Sequence, residues 1–235
     1  MPRSFPNDPI ASNLVLMTMG EEPLDWRRTW AELELPVPRA LQADLLKRWS
    51  EPWRHYHDLR HLSDCLSLFA GLRDLSRRPA EIELALWFHD AILDSRSDDN
   101  EERSAGLARS LLPATGLSLE ATDRIARLVL ATRHRGEPPR DEAALLVGID
   151  LAILGADEAR FAQYEGDIRA EYDWVPEPEY RRARTEVLRR FLAQEAIFVQ
   201  PRLRAELEDR ARRNIARLIG ELESPAGPEE AEPSG

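Results

Sequence analysis

The chain is poor in several residues that would make its function easy to read. Cysteine occurs once in 235 residues, at Cys65, so no internal disulfide framework can form and a thiolate-built metal site is not expected. Beside Leu66 and Phe69, Cys65 reads as a small buried hydrophobe rather than a reactive thiol. Lysine also occurs once, at Lys47, and arginine fills the other 31 basic positions, so no single arginine stands out. Apolar runs never approach the ~20 residues of a membrane span. The early segment "IASNLVLMTM" follows Pro6, Asp8 and Pro9 and leads to no clear cleavage site, so the expected location is a reducing cytoplasm. A net charge of −11 argues against a nucleic-acid polymer as partner, because phosphate backbones need clustered positive charge. It leaves a phosphorylated small molecule open.

Strand signals are missing as well. No sustained alternation of β-branched residues and no Asn-Gly or Asp-Gly hairpin occurs. Apolar residues instead recur at helical spacing, which predicts an all-α domain with helices near 25–35, 38–50, 57–75, 79–93, 99–113, 118–134, 141–155, 157–172, 177–194 and 204–222. Pro79 suits a first helical position, Ser118 an N-cap and Gly155 a helix end. Residues 1–24 read as an irregular lead-in, 25–222 as one domain, and 223–235 as an acidic Pro-rich tail that is expected to be disordered. Trp26, Trp30 and Trp53 are candidates for core or for a homodimer interface.

Histidine is scarce too, yet three of the five fall in "RHYHDLRH", residues 54–61. On a helix His57 and His61 share a face, a spacing equally compatible with a metal pair and with surface residues. The segment "IELALWFHDAIL" sets His89 and Asp90 in an apolar run, and "ALLVGIDLAILG" does the same for Asp150. A carboxylate in such surroundings costs several kcal/mol unless it is paired, hydrogen-bonded or metal-bound. A His-Asp hydrogen bond or an arginine salt bridge would account for each segment alone. Together they offer two imidazoles and two carboxylates, a donor set suited to Mn, Fe, Zn, Co or Ni ions rather than Ca.

The order His … His-Asp … Asp on successive helices resembles the HD-domain superfamily of metal-dependent phosphohydrolases. More narrowly, "HYHDLRH", "WFHDAILD", "DNEERSA", "LATRH", "DLAILG" and "EYRRARTEVLRRFL" resemble a subfamily of predicted HD hydrolases. The resemblance implies a divalent metal ion held by His61, His89, Asp90 and Asp150, and a phosphorylated, nucleotide-like substrate. It implies that His57 is a general acid, with Asp58 standing where related phosphodiesterases have Asn and either tuning His57 or making the site less suited to phosphate. Of Glu101 and Glu102, which open a helix, Glu102 is the expected orienter of the attacking water; dipole complementarity is the simpler account of both. His134 is a substrate or outer-shell contact or an exposed helix-end residue, and Arg169, Tyr172 and Arg184 are candidate phosphate contacts. Two other readings remain. One is a metal- or nucleotide-binding regulatory module without turnover. The other is a di-iron oxygenase, disfavoured because Ala91, Ile92 and Leu93, not a lysine, follow the His-Asp pair.

Overall fold

A computed structural model of the chain describes residues 26–134 and 139–224. The expected lead-in, nearly all of the tail and most of the Gly-Pro-Pro loop lie outside the described residues. The described residues form ten α-helices and contain no strand. In chain order they are α1 (Trp26–Glu32), α2 (Arg39–Trp49), α3 (Leu59–Ala70), α4 (Pro79–Phe88), α5 (Asn100–Leu111), α6 (Leu119–Ala131), α7 (Asp141–Asp150), α8 (Glu158–Glu171), α9 (Glu177–Ala193) and α10 (Pro201–Glu223). No described helix is long and apolar enough to cross a membrane.

Two helices run through the centre. Every residue of α4 after Pro79 is buried, as is Ala144–Ile149 of α7, so neither shows an amphipathic face. This explains why "IELALWF" and "ALLVGI" read as continuous apolar runs. Two glutamates are buried in α4, and both are satisfied by partners. Glu81 receives a two-pronged grip from Arg124 at 2.6 and 2.8 Å, while Glu83 accepts from Thr29 at 2.6 Å and pairs with Arg28 and Arg73. At this end Trp26 packs edge to face with Trp87 and tilted against Trp30, which assigns Trp26 and Trp30 to the core; Trp53 is exposed.

Helix boundaries differ from the sequence expectation at two positions that bear on chemistry. The helix expected from 57 begins at Leu59, because the Asp58 side chain accepts hydrogen bonds from the Arg60 and His61 amides and caps it. The helix expected to reach 93 ends at Phe88, leaving His89 and Asp90 on the turn that follows. Pro79 and Ser118 act as expected, the latter accepting from the Ala121 amide.

Gly155 ends a helical segment as expected, and it has a second role in packing. It lies at the end of a 3₁₀ segment, Leu151–Gly155, against α10. A Cβ there would stand 2.8 Å from Leu207 Cβ and 3.0 Å from its carbonyl oxygen, so the glycine is what lets the two backbones meet. Asn214 fastens the same junction by donating to the Leu154 and Ala156 carbonyls, both at 2.9 Å. Gly155→Ala should therefore lower unfolding stability by about 1–3 kcal/mol, the usual cost of overpacking. Urea unfolding measures it, and an unchanged midpoint would show that the contact is not tight.

Candidate metal centre

The ends of four elements build the site. His61 lies in the first turn of α3, His89 and Asp90 follow the end of α4, Asp150 closes α7, and His134 lies three residues beyond α6. The two imidazoles face each other with their Nε2 atoms 3.1 Å apart. Asp150 Oδ1 lies 3.3 Å from His61 Nε2 and 3.6 Å from His89 Nε2; Asp90 Oδ2 lies 3.8 and 3.1 Å from the same two nitrogens. His61, His89 and Asp150 therefore come together in one group, Asp90 flanks the same two imidazole nitrogens, and Asp150 points at histidines rather than an arginine.

The donor set fits a cation. His89 Nδ1 lies 2.8 Å from the Leu86 carbonyl, an acceptor, so the proton belongs on Nδ1 and Nε2 carries a lone pair. That bare nitrogen then faces His61 Nε2 and two carboxylates, a crowd of acceptors that calls for a proton on His61 Nε2 or a cation among them. Ligands about 2.1 Å from a first-row ion are separated by about 3.0 Å in octahedral and 3.4 Å in tetrahedral arrangements. The observed 3.1–3.8 Å separations are close to these. Without a metal the groups offset one another through protons. Burial pushes His89 down, but Asp90 and Asp150 override it and raise the imidazole well above its ordinary value. Burial likewise opposes ionisation of Asp90 and Asp150, yet the neighbouring histidines hold both carboxyls below the usual range.

Cys65 belongs to this neighbourhood, which sequence reasoning missed. His61, Cys65, His89 and Asp150 each bring a potential ligand atom within 4.8 Å of the others, a group that could hold a metal ion. The Cys65 sulfur, however, is 3.8 Å from both ring nitrogens of His61. A ligand sharing an ion with Nε2 lies nearer Nε2 than Nδ1, so the thiol in this geometry flanks the ring. Burial first, and then the charges of Asp150, Asp64 and Asp90, push the thiol well up, which also disfavours a thiolate.

His57 is held by a residue that carried no sequence signal. Because it precedes the Asp58 cap, it does not share a helical face with His61 as expected. Its Nδ1 lies 2.6 Å from Glu171 Oε2, and Glu171 Oε1 accepts from the amides of His55, Tyr56 and His57, each at 2.9 Å. Glu171, not Asp58, is thus the partner that tunes His57. Buried Arg54 completes the fastening, donating to the His57 carbonyl at 2.9 Å and the Asp90 carbonyl at 2.8 Å. The histidine loop and the His-Asp turn are thereby tied to one guanidinium. Burial lowers the His57 pKa, but Glu171, Asp90 and Asp150 outweigh it and the group rises to about 8.

The remaining expected residues divide. His134 Nε2 lies 3.0 Å from Asp150 Oδ2, the oxygen not turned toward His61 and His89, which places it in the outer shell. Glu102 is paired with Arg133. It is Glu101 whose carboxyl is pushed up, by burial and then by the charges of Asp90 and Glu102, so Glu101 senses the site. Arg169 pairs with Glu177, donates to the Tyr172 and Val175 carbonyls and stacks on Tyr180; Arg184 grips Glu165 and the Tyr164 hydroxyl. Both guanidiniums thus brace α8 against the following segment and α9. Tyr172 is half-buried, its hydroxyl raised by burial and then by Glu171.

No protein-family model, curated protein or solved structure matches the chain. The site geometry consequently carries the functional argument by itself.

Removing the Glu171 charge provides a direct test of the His57 arrangement. In metal-free protein followed by NMR, His57 should titrate near 8, and Glu171→Gln should bring it down toward or below the ordinary 6.5, since the charge favouring the imidazolium is gone while burial remains. A His57 titration indifferent to Glu171→Gln would sever the proposed pairing.

Proposed function

We propose that the chain catalyses metal-dependent hydrolysis of a phosphate ester or anhydride in a nucleotide-like small molecule. The observation that carries this reading is the group of His61, His89 and Asp150, with Asp90 against the same two imidazoles and His57 beside them. A first-row divalent ion held by those four would supply Lewis acidity toward a phosphoryl oxygen and a water acidified to near neutrality.

The chain's own residues account for the rest of the chemistry. Glu171 fixes the His57 ring through Nδ1, which leaves Nε2 as the position from which a proton can pass to a departing oxygen. A value near 8 keeps that imidazole mostly protonated at neutral pH, as a general acid requires, although a bound dication would lower it. Glu102, the expected orienter of the attacking water, is held by Arg133, which leaves half-buried Glu101 as the other candidate for that role. His134 holds Asp150 Oδ2 and leaves Oδ1 to the ion. A second reading, a metal-binding regulatory module without turnover, draws on the commitment of Arg169 and Arg184 to structural partners.

His57 and His61 separate these readings. His61→Ala should lower bound metal, with activity partly restored by excess cation. His57→Ala should keep its metal and lose roughly 10²–10⁴-fold in turnover, less for a nitrophenyl ester whose leaving group needs no proton. Metal analysis and turnover of the two variants decide the matter. Loss of metal from the His57 variant alone would reverse the two roles, and full metal content without turnover of any phosphate compound would favour the regulatory reading.

A further inference from the structure

A cavity of about 420 Å³ opens beside the metal cluster, between α3 and the start of α8. His61, Tyr56 and Asp150 form its inner end, so whatever occupies it lies against the candidate metal centre. The volume falls in the lower part of the range for small-molecule sites. Part of its lining is aliphatic: Leu68, Ala152, Ile153, Ala156 and Ala159. The alanines matter, because larger residues at those positions would fill the space.

The polar groups on its walls are balanced rather than basic. Arg160 Nη2 lies 3.3 Å from Asp64, and the Asp157 carboxylate, which caps α8, accepts from the Arg160 amide at 2.9 Å. Arg60 reaches across to Gln163 at 3.2 Å on the exposed side. Two arginines thus stand against two aspartates, with Asp150 adding a third carboxylate at the inner end. A second phosphate group in this space would find no surplus positive charge, whereas a neutral organic group would find apolar surface. Arg160 also has a spare donor, since its Nη1 is buried without a hydrogen-bond partner among the described residues. A carbonyl or ring nitrogen could satisfy it after a small turn of the guanidinium.

We infer that this cavity takes the leaving group of the substrate, a neutral and largely apolar organic alcohol of about nucleoside size carrying a hydrogen-bond acceptor. The inference rests on the phosphohydrolase reading and narrows it: the substrate is a phosphate ester of such an alcohol, not a nucleoside polyphosphate or pyrophosphate. Hydrolysis then breaks the bond between phosphorus and the ester oxygen, water supplies the hydroxyl that stays on phosphorus, and the ester oxygen takes its proton from His57, which does not line the cavity but stands beside His61.

The test combines binding with turnover on the metal-loaded full chain. Adenosine, which has no phosphate, should bind by calorimetry. Ala159→Trp, at an exposed helical position on the cavity wall, should weaken that binding roughly 10–100-fold, the worth of one well-buried apolar contact surface, while bound metal stays unchanged. Arg160→Gln should weaken it less, through loss of the donor. Adenosine monophosphate should be turned over at least tenfold faster than adenosine triphosphate or pyrophosphate. Adenosine binding that Ala159→Trp leaves untouched, or no adenosine binding at all, overturns the inference, as does turnover of pyrophosphate equal to that of the monoester. Should no phosphate compound be turned over while adenosine binding still depends on Ala159, the hydrolase reading fails and the cavity stands as a site for a neutral nucleoside-sized group.

Discussion

Two facing imidazoles with two carboxylates against them crowd one partly desolvated place, and much of the surrounding structure answers to that constraint. Two imidazole nitrogens 3.1 Å apart and two carboxylate oxygens within 3.8 Å of them need protons or a cation between them. Two like charges 4 Å apart cost about 4 kcal/mol even at an effective dielectric constant of 20. Protons on the imidazoles can meet the need, and so can one divalent ion. The ion meets it better, since it frees each nitrogen to present a lone pair and needs no proton to be shared. The contacts around the point are compatible with such an ion: His89 Nδ1 meets the Leu86 carbonyl, and His134 meets the Asp150 oxygen turned away from the histidines.

Holding such a cluster in place falls to two buried charges outside it. Arg54 joins the His57 and Asp90 carbonyls, so two irregular segments far apart in sequence move as one piece. Glu171 does the complementary work from α8, its one oxygen gathering three successive amides and its other fixing an imidazole. A loop that would otherwise leave its amides to water becomes as constrained as a helix end. Each of these groups is buried with its polar atoms satisfied, the condition under which a buried charge specifies structure rather than weakening it.

This division also explains what could be read from the sequence. Helix positions followed from apolar periodicity because α3, α6 and α10 each bury one face, and α4 and α7 were legible as uninterrupted apolar runs. His89, Asp90 and Asp150 were conspicuous for the same reason, being polar in apolar surroundings. Glu171 and Arg54 were not, because each is one of many charged residues in charged segments and acquires its role only through partners brought near by folding. Cys65 was read correctly as buried, but its neighbours come from α4 and α7. Arg169 and Arg184 are the opposite case: their sequence context suggested a clamp, and folding gives them Glu177, Glu165 and Tyr164 as partners. His57 was displaced from its expected helix by a cap, a one-residue effect that periodicity does not resolve.

The backbone itself leans toward a cation. The helices α4, α6 and α7 end at or within three residues of the cluster, while α3 and the 3₁₀ segment that follows Asp150 begin there. A helix C-terminus carries the equivalent of roughly half a negative charge, so Asp90, two residues past the end of α4, sits where the dipole disfavours a carboxylate, a placement that costs about 0.3–1 kcal/mol. The negative end of α4 and the Asp90 carboxylate thus both favour positive charge in the same place, supplied by the protons of the neighbouring imidazoles or by an ion.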